Sequence, residues 1–382
     1  MFFALEVGNR EMDREREFPI LKKLDFLNHA GVSPLPARSA RAMREMISEA
    51  EHYGPFYFKK HRERLEALRG AAAKLLRCTA DEIAFVKNTT EGLSLVAEGL
   101  DWRDGDNIVT AEHEFPANVY PWRSLARRGV ELRVVAERNW QFEVEDFARA
   151  IDARTRLLTV SAVEFSTGFR MPLEALGRLC QERGVLFCID AIQALGAMAF
   201  DVEQWRIDFL AADGHKWLLG PEGFGLFYCR AERMDLLSNC VLGWLGVENP
   251  SDYDRTDQNW VSTARRFEEG SHNLVGAVGL AASVELLLEV GIEQIEQRVL
   301  ALTRRLVDGL EARGCELFTP REDQSRLGIV SFRHPREPSE RLFKHLLERK
   351  IIAAHRRGWI RVSPHFYNTE EQIDGVLEAM DT

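Results

Sequence analysis

The chain has 382 residues, 45% of them hydrophobic, which exceeds one ordinary domain and can fill a sizeable core. A formal net charge of −10 leaves no basic footprint for nucleic acid, and basic runs such as Lys59-Lys60-His61-Arg62 and Arg356-Arg357 are short. No apolar stretch reaches membrane-spanning length, the N-terminal MFFALEVGNREMDREREF turns charged too soon for a signal peptide, and the six cysteines (78, 180, 188, 229, 240 and 315) show no metal-type spacing, so the expectation is a cytoplasmic protein with reduced thiols.

Apolar strands and amphipathic helices alternate along the chain, which points to an α/β fold with a mostly parallel central sheet. Residues 59–76 repeat Leu65, Leu68, Ala72, Leu75 and Leu76 at helical spacing. Residues 83–86 form a short strand, and the helix after it presents Leu93, Val96, Ala97 and Leu100 as one stripe. Strands follow at 108–110, 132–135 and 157–163, and Pro172 with Leu173 opens a helix. Apolar strands recur at 185–189 and 207–212, with 223–228 as the returning strand. Beyond them, 275–290 and 292–313 are two helical patterns broken at Gly291, 328–332 is a strand and 338–349 a helix. Thr369-Glu370-Glu371-Gln372 is a capping box that opens the last helix. This change of character predicts three parts: an N-terminal arm (1–30) that joins a small domain, a large domain (31–270), and a small α/β C-terminal domain (271–382).

Two strand ends carry the chemistry. VLFCIDAIQALG ends a strand in Asp190, and DFLAADGHKWLLGPEGFG ends the next one just before Lys216. Taken singly, a strand-end Asp starts a turn and a loop Lys is solvated. Together with Gln193, His215 and the glycines that follow, they suit pyridoxal phosphate. That cofactor needs a carboxylate to keep its ring nitrogen protonated and a lysine to form its Schiff base. Burial beside a cationic ring would depress the lysine pKa and leave a neutral amine for proton transfer at a substrate Cα. Asn88-Thr89-Thr90-Glu91-Gly92, between a strand and a helix, offers N–H groups and hydroxyls to a phosphate, although ordinary Thr-rich helix caps look the same.

VLFCIDAIQALG followed by ADGHKWLLGPEGFG resembles the class V aminotransferases of the fold-type I pyridoxal-phosphate enzymes. That group includes cysteine desulfurases, isopenicillin N epimerase-like proteins and selenocysteine lyase-like proteins. The resemblance runs from Phe26-Leu27-Asn28-His29-Ala30-Gly31 to Arg361-Val362-Ser363-Pro364-His365-Phe366-Tyr367-Asn368-Thr369, nearly the whole chain. It implies a fold-type I transferase architecture, pyridoxal 5′-phosphate as cofactor, and a homodimer. It assigns Lys216 to the covalent link and the acid-base role, Asp190 to the ring nitrogen, and Gln193, one helical turn on, to the phenolic oxygen. Thr89, Thr90 and His215 are assigned to the phosphate, with Ser271 in RRFEEGSHN reaching the phosphate of the neighbouring subunit. Phe115 in AEHEFPANVYPW falls where relatives stack a ring on the cofactor, and a Phe that only packs in the core is the other reading. Arg361 matches the arginine that clamps the substrate α-carboxylate, for which a planar fork is suited. Asn28 and His29 lie in the arm that lines the substrate site in relatives.

The departures narrow the expectation. Desulfurases carry a cysteine on a loop shortly before the matching arginine, and Ala353 to Ile360 has none. Asp213 stands where they place a serine, and Glu164-Phe165-Ser166-Thr167-Gly168 lacks the asparagine some relatives use near the ring. Trp217-Leu218-Leu219-Gly220-Pro221-Glu222-Gly223 is closer to the epimerase-like and selenocysteine lyase-like branch. The expected activity is pyridoxal-phosphate chemistry at the Cα of a small-molecule substrate, an amino acid or amine, of the isopenicillin N epimerase-like kind (aminotransferase or epimerase). A C–S lyase that needs no loop cysteine is the alternative. A non-catalytic binding module on the same fold is opposed by the presence of Lys216. A nicotinamide enzyme is opposed by the lack of Gly-x-Gly-x-x-Gly after the first strands.

Overall fold

The computed structural model describes residues 6–7 and 10–381, so the start of the expected arm lies outside the described residues. Seven strands form the main sheet, in the order Ile83–Val86, Gly225–Cys229, Phe209–Asp213, Leu186–Asp190, Thr155–Ser161, Asn107–Ala111, Glu131–Val135. Gly225–Cys229 runs antiparallel to both neighbours, and the other pairings are parallel. Helices cover both faces, so these strands read as continuous apolar runs. Successive residues still divide between two cores: Phe187, Ile189, Leu210 and Ala212 enter one, while Cys188, Phe209 and Ala211 enter the other.

A third core belongs to the smaller domain and gathers Leu302, Leu306, Leu310, Val330, Phe332, Ile360 and Ile373. Its antiparallel sheet has the order Glu316–Leu317, Val330–Arg333, Trp359–Val362, Ala354–Arg356. The arm joins it where Asp25–Phe26 pairs in parallel with Ile351–Ile352 and Leu27 enters the core. The expected boundary at 271 is too early. Helix Leu274–Val290 packs on Ala37–Tyr53 and Phe58–Leu76, and its Leu280, Val284 and Leu287 belong to the large core. The change of core falls within helix Ile292–Ala312, whose Ile295 and Val299 face the large core and Leu302 onward the small one. The two helices bend by 81° at Gly291, where φ is +90° and a residue without Cβ is favoured.

Two other features went unread in the sequence. Ala37–Tyr53 is a 17-residue helix that packs on Leu274–Val290, with Ser39 Oγ donating to the Gly279 carbonyl at 2.8 Å and Met43 lying against Gly279. The expected loop at 353–360 is a tight hairpin: Ala354 pairs with Arg361 and Arg356 with Trp359. Arg357 (φ +51°) and Gly358 (φ +81°) make a two-residue turn with the twist that hairpins require. Among the described residues, no single helix is long and apolar enough to cross a membrane.

Candidate active site

The parallel strands end on one side of the sheet, where open α/β folds place their ligands. Asp190 closes Leu186–Asp190, Asp213 closes Phe209–Asp213, and Ser161, the register partner of Asp190, closes Thr155–Ser161. A cavity of about 270 Å³ opens there, and Lys216, Asp190, Gln193, His215, Thr89, Thr90, Phe115 and Arg361 all line it. Eight of the eleven site residues expected from sequence therefore meet in one place.

Asp190 is 1% exposed. Its Oδ1 accepts the Ile192 N–H at 3.0 Å, while Oδ2 is buried without a partner. Burial pushes its pKa up to about 6, against the Ile192 hydrogen bond and the nearby charge of Lys216. An orphaned carboxylate oxygen in a cavity calls for a donor from outside the chain. Lys216 is held at the cavity wall by the turn that starts at Asp213-Gly214. A Cβ on Gly214 would come within 2.7 Å of the Phe224 carbonyl, so the turn sits hard against the neighbouring strand. Burial brings the Lys216 amine down to about 8; Asp190 opposes this, and the charges of Arg361 and Arg356 add to it. Its Nζ lies 5.3 Å from the centroid of the Phe115 ring, and Phe115 meets Phe165 edge to face at 5.3 Å.

The Thr89–Gly99 helix points its first turn into the cavity. Asn88 Oδ1 accepts the Glu91 N–H at 3.0 Å, and the earliest amides have no intrahelical acceptor. Thr89 is buried and its Oγ1 accepts the Asp213 N–H at 3.0 Å, whereas Thr90 is exposed to the cavity. Asp213, which stands where desulfurases place a serine, lines the cavity and has both oxygens engaged by neighbours. One oxygen accepts the Gly214 N–H at 2.7 Å and the other lies 3.0 Å from His215 Nδ1. Gln193 sits in a turn capped by Asp190 and not one turn along a helix. Its amide is engaged at both ends, Nε2 donating to the Ala30 carbonyl (3.1 Å) and Oε1 accepting from Trp217 Nε1 (2.9 Å).

On the opposite wall, Arg361 is 2% exposed, and no carboxylate lies within ion-pair distance of it among the described residues. Nη1 donates to the Phe165 carbonyl at 2.7 Å, Nη2 makes a long contact with Asn28 Oδ1 at 3.5 Å, and Nε is unpartnered. Burial and the charge of Arg356 lower its pKa to about 10. The Phe165 carbonyl is presented by a turn that buried Glu164 ties together, its Oε2 accepting the N–H groups of Ser166 (2.8 Å) and Thr167 (2.5 Å). Asn28 thus touches the site through Arg361. His29 is elsewhere: fully buried, with Nδ1 2.8 Å from the Ser363 carbonyl and Nε2 2.7 Å from the Tyr367 hydroxyl, it has no free nitrogen for a substrate. Ser271 is exposed outside the cavity, before helix Leu274–Val290.

One neighbour had no sequence signal. Glu114 accepts the Ser161 N–H (2.6 Å) and hydroxyl (2.5 Å), and burial, with the charge of Asp190 adding to it, pushes its carboxyl up to about 8. A second chamber of about 400 Å³ adjoins the first and shares Phe115, Phe165, Arg356 and Arg361 with it. None of the six cysteines lines either chamber; five are buried or half-buried and Cys240 is exposed elsewhere.

The cavity fits pyridoxal phosphate on its own terms. The unpartnered Asp190 oxygen suits a ring N–H, the Lys216 amine is low enough to be neutral in part near pH 8, and a helix start offers amides to a phosphate. Comparison with known proteins agrees. The family described as Aminotransferase class-V matches residues 26–376. A probable cysteine desulfurase of Methanothermobacter thermautotrophicus is 30% identical over 97% of this chain and 98% of its own length. An uncharacterized aminotransferase, YcbU, of Bacillus subtilis is 28% identical over 95% of both chains. The apo structure of a cysteine desulfurase from Thermococcus onnurineus NA1 superposes with a TM-score of 0.88 at 26% identity, covering all of this chain and 98% of that one. A match of this extent, on a chain whose lysine and aspartate meet in the cavity, makes the protein a member of the class V aminotransferase family of pyridoxal-phosphate enzymes.

Proposed function

We propose that this protein is a pyridoxal-phosphate enzyme that works at the Cα of an α-amino acid without using a thiol of its own. The observation that carries the reading is the cavity in which the unpartnered Asp190 carboxylate, the depressed Lys216 amine and the buried, carboxylate-free Arg361 face one another. Bound there, pyridoxal phosphate supplies an electron sink for a carbanion at the substrate Cα. Asp190 would keep a proton on its ring nitrogen, and Phe115, at the cavity wall, would be placed to lie against the ring. Thr89, Thr90 and His215, with Ser271 from a second subunit, hold the phosphate. Gln193 pins the arm at Ala30 to the Trp217 turn beside the ring. Arg361, steadied by Phe165 and Asn28, grips the α-carboxylate. Lys216 takes the Cα proton and returns it.

Aminotransfer would need only Lys216 to move the proton along one face of the bound substrate, whereas epimerisation would need Cα to be reprotonated from the face opposite Lys216. The absence of a thiol from both chambers supports these outcomes over a persulfide-forming desulfurase. The names of the desulfurase relatives favour a second reading, C–S cleavage, which here would have to release sulfur on the substrate fragment and not on an enzyme cysteine. We further propose a cytoplasmic homodimer, supported by six unpaired cysteines and by exposed aromatic residues such as Phe56 and Tyr253.

The test is direct. The purified protein should be yellow, and borohydride should leave the reduced cofactor on the peptide that contains Lys216. Product analysis with a panel of amino acids, with and without an α-keto acid, separates aminotransfer, epimerisation and elimination. Cysteine should leave no persulfide on the protein, and replacing all six cysteines should spare turnover. A colourless protein that takes up no added cofactor sinks the reading, and a persulfide on one essential cysteine returns it to the desulfurases.

A further inference from the structure

The second chamber has a charge pattern that the chemistry at Cα does not use. Its hairpin wall carries His355, Arg356 and Arg357, and Arg361 stands at the boundary with the inner cavity. Among the described residues, no carboxylate lines this chamber. Neither Arg356 nor Arg357 has an acidic side chain within ion-pair distance among the described residues, whereas most arginines of this chain do. The concentration of positive charge is local, because the whole chain is acidic at −10.

Like charges gathered without a counter-charge destabilise an empty site and are relieved when an anion binds. The charge of Arg356 is felt at both Lys216 and Arg361, so it belongs to the reacting region and not to remote surface. The hairpin holds it in place: Arg356 is in register with Trp359, and the turn beyond it has only two residues. Trp359 stacks on Phe318 at 4.5 Å and is backed by the Arg333 guanidinium at 4.1 Å, and these two rings line the chamber together with Phe115 and Phe165.

We propose that this chamber selects an α-amino acid whose side chain ends in a second anionic group, held by Arg356 and Arg357 while its carbon chain lies between the aromatic walls. The inference rests on the reading of Arg361 as the α-carboxylate clamp. Guanidinium forks accept carboxylate, phosphate and sulfinate alike, so the shared feature is the distal anion.

The experiment uses the cofactor-loaded enzyme. Binding of L-aspartate, L-glutamate, O-phospho-L-serine and L-cysteine sulfinate is compared with that of asparagine, glutamine and serine. It is followed by the change in the cofactor's visible absorption and by calorimetry. The anionic members should bind at least about tenfold more tightly than their neutral counterparts, the scale of one hydrogen bond to a charged group. The rank among carboxylate, phosphate and sulfinate identifies the source of the anion. Arg357→Gln should weaken that preference, and Arg356→Gln with Arg357→Gln should erase it, read as the ratio of anionic to neutral affinity because Arg356 also lines the inner cavity; Arg356→Lys should restore part of it. Arg361→Gln should weaken both sets. Both exposed hairpin positions tolerate change, which the melting temperature and cofactor content of each variant will verify. Equal binding of anionic and neutral members, or a preference that survives the double change, overturns the proposal while the cofactor reading stands. An enzyme that binds the cofactor yet responds to no amino acid overturns the α-carboxylate reading, and this proposal with it.

Discussion

Asp190 carries the cofactor reading through one atom, the buried Oδ2, which has no partner among the described residues. Asp190→Ala should keep the fold and lose about three orders of magnitude or more in turnover, because the Cα anion loses its electron sink. Near-normal turnover in that variant would place the ring elsewhere. Lys216 makes a claim about pH. Its amine is lowered to about 8, so the neutral, nucleophilic form grows as pH rises through that value. Uptake of pyridoxal phosphate by the apoenzyme should accelerate through about pH 8 and then level off. A midpoint near the ordinary lysine value of about 10.4 would mean that the amine is solvated. Asp190 and Lys216 were legible in the sequence because a strand-end acid and a strand-end lysine at that spacing have one common use. His29 was misplaced and Glu114 missed because nothing local marks which way a histidine or glutamate turns. His29 is drawn into the core by Ser363 and Tyr367, more than 300 positions away.

The helix Thr89–Gly99 shows how an element carries a site. Gly92 lets it lie directly on the strand that leads to Lys216, since a Cβ there would be 2.7 Å from Ala211 Cβ. Gly92→Ala should cost about 1–3 kcal/mol in chemical denaturation and weaken cofactor binding, because the first turn must lift away from Asp213. Unchanged stability and affinity would show that the helix can slide freely. The strands of the main sheet and the Thr369 capping box were readable because period and caps are local properties. The Ala354–Val362 hairpin was legible only in part: Ile360-Arg361-Val362 reads as a strand, but Ala354–Arg356 is short and charged and becomes extended through its pairing with Trp359–Val362.

For the whole molecule, the exposed aromatic residues set the expectation. Tyr53, Phe56 and Tyr57 form a contiguous cluster with Phe56 78% exposed, and Trp244 packs on Tyr253, itself 76% exposed. Apolar rings left in water in this way suit a partner surface. Sedimentation should find a dimer, and Phe56→Asp should push it toward monomer and loosen the phosphate end if Ser271 crosses the interface. A wild-type protein that stays monomeric at micromolar concentration would remove both the dimer and the role of Ser271. The domain boundary belongs to this scale too. A sequence pattern marks where helices begin, but only packing shows that Leu274–Val290 buries its face in the large core.

The alternation of strands and helices, the lysine, the aspartate and the Thr89-Thr90 helix start were legible in the sequence because each is encoded within a short stretch of residues, while a phosphate role for that helix start came from the family resemblance. Tertiary structure alone decided that Arg361 is buried without a carboxylate, that Gln193 is engaged at both ends, and that Arg356 and Arg357 border the same chamber. These depend on contacts between segments far apart in the chain, where burial and neighbouring charge set the chemistry of a side chain and its residue type does not.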